Sequence, residues 1–278
     1  MELSIADQLC YSTVRIECAT STGRSTGTGF FFNFLEDKEK KEKVPCIVTN
    51  KHVVEGAQEG LLVLTCVDGS GNEYLHRVSV GDFRQAWIFH PKDEIDLCIM
   101  PINPIFELTR KQGHKPFYIA ISDDIIPSKE QLEDLSALED IIMVGYPDGT
   151  WDSVNNKPIL RKGITATHPK RNFNGEKKFL IDAACFPGSS GSPVLILNQG
   201  SYSDKTGNVF IGNRVILLGV LHAGPQHIAQ GQIRFANIPT TITSIPNNLG
   251  LVIKSEELKV FDSILKSIIG NSLEKNNC

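Results

Sequence analysis

Cys185–Val194 reads CFPGSSGSPV, inside the longer run IDAACFPGSSGSPV from Ile181 to Val194. Two glycines, two prolines and three serines between apolar flanks specify a tight turn whose backbone is closely fixed. Ser190 stands in its middle, between Gly188 and Gly191. A serine hydroxyl is a weak nucleophile unless a neighbouring base takes its proton and positive groups receive the charge that moves onto the substrate oxygen. The turn therefore directs the search toward partners elsewhere in the chain.

If Ser190 attacks a carbonyl, the N–H groups around Gly188, Ser189 and Ser190 form the expected oxyanion site, with Gly188 and Ser190 aimed at the oxygen. Seven histidines are candidates for the base. His52 stands out because VPCIVTNKHVV places it where a strand ends abruptly in Thr-Asn-Lys. For the carboxylate that orients it, DEIDLCIM offers Asp96 at the start of an apolar run, with Asp93 and Glu94 as nearby rivals. Asp96 is preferred because it alone precedes Leu-Cys-Ile. His76, His90, His114, His168 and His227 have no comparable context and read as surface or core residues.

The 278 residues, 41% hydrophobic and 22% charged, suffice for a substantial core, as one large all-β domain or two small lobes. A net charge of -4 gives no general pull toward nucleic acid or anionic lipid. Neither a nucleic-acid nor a membrane partner is expected. MELSIADQLCYSTVRIEC lacks the basic flank and apolar core of a secretion signal, which favours a cytoplasmic location. Seven widely spaced cysteines without a C-x-x-C pair read as small buried hydrophobes in a reducing compartment.

Short runs rich in β-branched and aromatic residues recur from STVRIECAT to IRFANIP, punctuated by Gly, Pro and Asn, which predicts an all-β sandwich or barrel. EDKEKKEK, residues 36–43, contains no apolar side chain and reads as a solvated hairpin loop. SKEQLEDLSALED suggests a short surface helix after a serine cap, within a crossing segment at about 111–138. In SEELKVFDSILKSIIG, Leu258, Phe261, Ile264, Leu265, Ile268 and Ile269 share one helical face, with Ser255 expected as N-cap and Gly270 as stop.

The three chemical segments occur in the order His, Asp, Ser, and together they resemble the trypsin-like, chymotrypsin-fold serine peptidases, with the HtrA/Deg peptidase domain as the nearest type. TGTGFFF resembles the strand before the histidine, VTNKHVV the histidine motif, DLCIM the aspartate motif and IDAACFPGSSGSPV the nucleophile segment. LLGVLHAG and IRFANIP look like the strands that wall the primary specificity pocket. The resemblance implies two six-stranded antiparallel β-barrels followed by a C-terminal α-helix, with the site in the cleft between the barrels. The expected peptidase domain is 1–253, with one barrel at about 10–110 and the other at about 139–253, and 254–278 forms the helix and a polar tail. His52, Asp96 and Ser190 would act as catalytic triad on a protein or peptide substrate, with no metal or organic cofactor, and an activating protein partner is conceivable.

Departures from the family pattern sharpen the expectation. Ser189 replaces the aspartate that pairs with a freshly cut N-terminus in digestive relatives, so activation by N-terminal trimming is not expected. Gly191-Ser192 replaces Gly-Gly, a small-for-small exchange. Ala184, six before the nucleophile, makes an apolar pocket floor that disfavours Lys or Arg at P1; Leu221, His222, Ala223 and Gly224 complete the expected substrate-binding wall. Viral 3C-like and glutamate-specific relatives use a pocket histidine to bind Gln or Glu; His222 falls one place beyond that position, beside the triad aspartate, which leaves a pocket role, a hydrogen bond near Asp96 and space-filling as its alternatives. A catalytically silent binder of polypeptide segments is the competing function. An α/β-hydrolase is disfavoured because Ser192 stands where its motif needs glycine and because its chain order is Ser, acid, His.

Overall fold

A computed structural model describes residues 3–21, 23–147, 150–223, 226–228, 244–246 and 248–276. The N-terminal lobe contains β1 (Thr13–Thr20), β2 (Gly23–Asp37), β3 (Glu42–Thr49), β4 (Ala57–Val67), β5 (Glu73–Val80), β6 (Ile88–Phe89), β7 (Cys98–Pro101) and β8 (Lys115–Pro116). Its helices are α1 (Ile5–Leu9), α2 (Lys51–Val54) and α3 (Asn103–Lys111). The strands form one antiparallel sheet in the order β5-β4-β1-β2-β3-β7-β6, with β8 on β4. A closed six-stranded barrel was the expectation here. Among the described residues eight strands form an open hydrogen-bonded path, and a second closed six-strand ring is not found there. Between β5 and β6 the chain turns and buries the rings of Phe83 and Trp87 in the lobe core, with centroids 5.8 Å apart. Phe83 reaches that far because Gly60 leaves room: a Cβ there would lie 2.1 Å from its ring.

The other half is a closed barrel, ordered β10-β11-β18-β15-β12-β9. Its strands are β9 (Asp140–Gly145), β10 (Ile159–Thr165), β11 (Lys178–Asp182), β12 (Pro193–Asn198), β15 (Arg214–Ala223) and β18 (Leu249–Lys254). Two two-stranded sheets, β13 (Ser201–Ser203) with β14 (Val209–Ile211) and β16 (Gln226–Ile228) with β17 (Ser244–Pro246), stand outside the ring. The crossing segment carries α4 (Lys129–Asp134) after the suggested serine cap, Ser128, which forms a capping box by bonding reciprocally with Gln131.

Three cores result. One fills the N-terminal lobe and a second the barrel, whereas the largest lies between the two. Strand β2 explains why FFFNF is continuously apolar: Phe30, Phe32 and Phe34 face the shared core while Phe31 faces the lobe interior, so both faces are buried. The C-terminal helix α5 (Val260–Asn276) seals that shared core with Phe261 and Leu265, helped by Leu258 from the preceding 3-10 turn Ser255–Lys259. Ser255 is thus inside a turn rather than its cap, which is Lys254. Gly270 does not stop the helix either, since one interior glycine costs only about 1 kcal/mol relative to alanine and the helix runs on to Asn276. Ile268 and Ile269, expected on the docked face, are 45% and 41% exposed because the helix has by then passed the edge of the core. No helix among the described residues is long and apolar enough to cross a membrane.

Candidate active site

His52 lies on α2, a single turn whose two valines decide its orientation. Val53 and Val54 are buried in the lobe core, so the imidazole between Lys51 and Val53 is turned out to the surface, with its side chain 47% exposed. Gly27 on β2 permits the approach, because a Cβ there would stand 2.4 Å from Val53. Asn50 precedes the helix without capping it; its Nδ2 instead donates to the Asp96 carbonyl at 2.8 Å. Lys51 Nζ donates to the Lys92 carbonyl at 2.8 Å. Both bonds tie the histidine helix to the aspartate loop.

Asp96 sits at the apex of a three-residue turn closed by Leu97 N–H to Ile95 O at 3.0 Å. The buried flanks Ile95 and Leu97 anchor this turn and leave the carboxylate pointing at α2. Its Oδ1 accepts the His52 N–H at 3.0 Å and its Oδ2 meets His52 Nδ1 at 2.5 Å. A second imidazole shares that oxygen: His222 Nδ1 lies 2.8 Å from Oδ2. Burial works to raise the Asp96 carboxyl, but the bonds from His222 and His52 outweigh it and hold the group well below the usual carboxylate range. Asp93 and Glu94 are exposed on the same loop, away from this network.

Ser190 is carried by two consecutive turns. Ser189 N–H donates to Phe186 O and Ser192 N–H to Ser189 O, each at 3.0 Å, with Gly188 at φ 85° and Gly191 at φ 88° in the third position of each. These are type II turns, and glycine at that position explains the sequence spacing. Ser189 N–H, expected at the oxyanion site, is therefore engaged in a turn. Among the described residues, the N–H groups of Gly188 and Ser190 have no acceptor. Gly191 has a further reason to be glycine, since a Cβ would lie 1.9 Å from Thr28 O. Ser190 Oγ donates to the His222 carbonyl at 3.2 Å, and no hydrogen bond joins it to His52 among the described residues.

Thr28 is the organiser that sequence reasoning missed. Its N–H donates to Ser190 O at 2.9 Å and its Oγ1 to Gly188 O at 2.9 Å, while Oγ1 also accepts from Tyr146 N–H. Thr49 Oγ1 completes the clamp by donating to Thr28 O at 2.7 Å. The motif TGTGFFF contained it, but only the pairing of distant segments reveals the role. Ser192 is fully buried, its hydroxymethyl accommodated by Gly145, whose own Cβ would lie 2.0 Å from Ser192 Oγ. Ser189 is buried, and among the described residues its Oγ has no hydrogen-bond partner.

Of the expected pocket residues, Ala184 is half-buried and Leu221 buried, and His222 lies on Asp96. Ala223 ends β15, while Gly224 and the IRFANIP strand lie outside the described residues. Of the other histidines, His76 stacks on His114 at 3.8 Å and His90 is buried beside Glu257, remote in role from Ser190.

No curated protein matches this sequence. Among solved structures the chain is similar to a variant of the HtrA-type protease AlgW with tripeptide, at 15% identity and a TM-score of 0.47, covering 94% of this chain and 64% of that one. It is also similar to a serine endoprotease from Yersinia pestis, at 13% identity and a TM-score of 0.43, covering 98% of this chain and 69% of that one. A third is the Rv3671c protease from M. tuberculosis in its active form, at 14% identity and a TM-score of 0.44, covering 90% and 78%. The chain thus spans less than two thirds of the length of the first of these. A family profile described as the trypsin-like peptidase domain matches residues 27–202, well over half of the 278, and the chain belongs to that family.

Proposed function

We propose that the protein is a serine endopeptidase that cleaves polypeptide segments through Ser190, His52 and Asp96. One observation carries the reading: a carboxylate bonded to the Nδ1 of an exposed imidazole at 2.5 Å and to the ring of His222, whose carbonyl accepts from Ser190 in a turn with two N–H groups that have no acceptor among the described residues. In the proposed cycle, the Ser190 hydroxyl turns from the His222 carbonyl toward His52 and attacks the scissile carbonyl as His52 Nε2 takes its proton. Asp96 holds the imidazole in the Nδ1–H tautomer and stabilises the imidazolium. The Gly188 and Ser190 N–H groups receive the oxyanion. His52 then protonates the leaving amine, and water releases the acyl group by the same steps reversed. Ala184 favours a small or medium apolar P1 side chain. Six of the seven cysteines lie among the described residues and are free there, which supports a reducing compartment such as the cytoplasm.

Ser190→Ala is expected to abolish labelling by a fluorophosphonate probe and to lower peptide hydrolysis roughly 10⁴-fold or more. Hydrolysis near the wild-type rate in that variant would reject the assignment. A second reading, a silent binder of polypeptide segments, is favoured by the bond from Ser190 Oγ to His222 O in place of one to His52. Peptide binding by the wild type without probe labelling would establish it.

A further inference from the structure

Acyl transfer needs one imidazole on Asp96, and this site has two. His52 and His222 meet the same oxygen, Oδ2, at 2.5 and 2.8 Å from rings inclined at 87° to each other. One ligand atom from each of His52, Asp96 and His222 can be chosen so that all three lie within 4.8 Å of one another. We propose that these three side chains form a binding site for a divalent transition-metal ion of the zinc class, and that the bound ion switches the peptidase centre off.

The donor chemistry fits. Two neutral imidazoles and a carboxylate make a borderline-soft N/N/O set suited to zinc, leaving a fourth position open to water. Zinc bonds of about 2.0–2.2 Å in a tetrahedron hold donors about 3.3 Å apart, so the Nδ1···Oδ2 separations of 2.5 and 2.8 Å must widen by about 0.8 and 0.5 Å, a shift that rotation of the exposed His52 and half-buried His222 rings can supply. The rings approach Oδ2 from different directions and are reachable from solvent, with His52 47% and His222 25% exposed. Asp96 is already oriented by bonds that the ion would not disturb, from Asn50 Nδ2 to its carbonyl and from His52 N–H to Oδ1.

The proton accounting explains the inhibition. An ionised carboxylate only accepts, so both imidazoles now carry their proton on Nδ1. A metal bound at Nδ1 needs that lone pair, and the proton moves to Nε2 with no net release. His52 with a protonated Nε2 cannot receive the Ser190 proton, and acyl transfer stops. The inhibition rests on the peptidase reading; the binding does not.

The test separates the two. Zn²⁺ is titrated calorimetrically into full-length Ser190→Ala, which retains all three donors, and into the same chain also carrying His222→Gln. One ion per chain is expected, bound at least about tenfold more weakly without His222. Equal binding by both proteins, or none by the first, overturns the proposal. Should the His222 variant not fold, Co²⁺ added to Ser190→Ala gives the second readout: intense visible absorption of a four-coordinate ion supports the site, and the faint bands of a six-coordinate ion reject it. In the wild type, Zn²⁺ is expected to abolish hydrolysis and a chelator to restore it. Hydrolysis unaffected by a bound ion overturns the switch. His222-dependent binding in a metal-free chain that never hydrolyses peptides supports the site while rejecting the proposed function.

Discussion

Asp96 has the most to hold of any side chain in the cleft, because its two oxygens fix a backbone N–H and two imidazoles at once. Asp96→Asn keeps the shape but presents an amide, so His52 loses the group that selects its tautomer; kcat is expected to fall on the order of 10⁴-fold with KM little changed. A loss below tenfold would show that the carboxylate has no such task. The same group sets a pH dependence of stability. Its folded pKa is depressed, so the stabilisation is fully present above its unfolded value of about 3.9 and is lost as pH falls below it. Acid titration followed by circular dichroism should show a steeper loss of stability below about pH 4 in the wild type than in Asp96→Asn. Parallel curves would contradict the assignment of the shift to Asp96.

At the scale of elements, the turn that carries Ser190 is held by a strand from the other half of the molecule. Thr28→Val removes the hydroxyl that bonds Gly188 O and accepts from Tyr146 N–H, leaving two buried backbone groups unpaired. A destabilisation of about 1–3 kcal/mol is expected, together with a fall in kcat larger than the fall in folded fraction. If thermal stability drops while the rate per folded molecule stays constant, Thr28 holds the fold and not the turn. The contrast with His52, Asp96 and Ser190 shows what a sequence makes legible. Those three are flagged by abrupt junctions between apolar runs and polar or glycine residues, a local signal. Thr28 and Asn50 act through bonds to residues 160 and 46 positions away, and nothing near them in the chain announces it. Helix α3 was missed because NPIFELTRK buries only Phe106 and Thr109, too thin a stripe to stand out among strands. In the N-terminal lobe the hydrogen-bonded path is open among the described residues, and strand patterns do not record which strands find partners.

Across the whole molecule, the proposed triad is divided between halves, with His52 and Asp96 in the N-terminal lobe and Ser190 beside the barrel strand β12. Their alignment therefore depends on the core shared by both halves, and α5 is its lid. Phe261 is fully buried there, 6.0 Å from the Phe34 ring and 5.7 Å from that of His90, whose N–H bonds Leu97 O beside Asp96. Phe261→Ala opens a cavity at a point touching β2 and the aspartate loop together, and a cost of about 3–5 kcal/mol is expected. Because the shared core joins the halves, calorimetry should give one transition shifted to lower temperature, not two. Because the same ring supports the loop behind Asp96, hydrolysis should also fall at temperatures where the variant remains folded. Two separate transitions, or full activity in the folded variant, would mean that each half stands alone and that α5 only covers a surface.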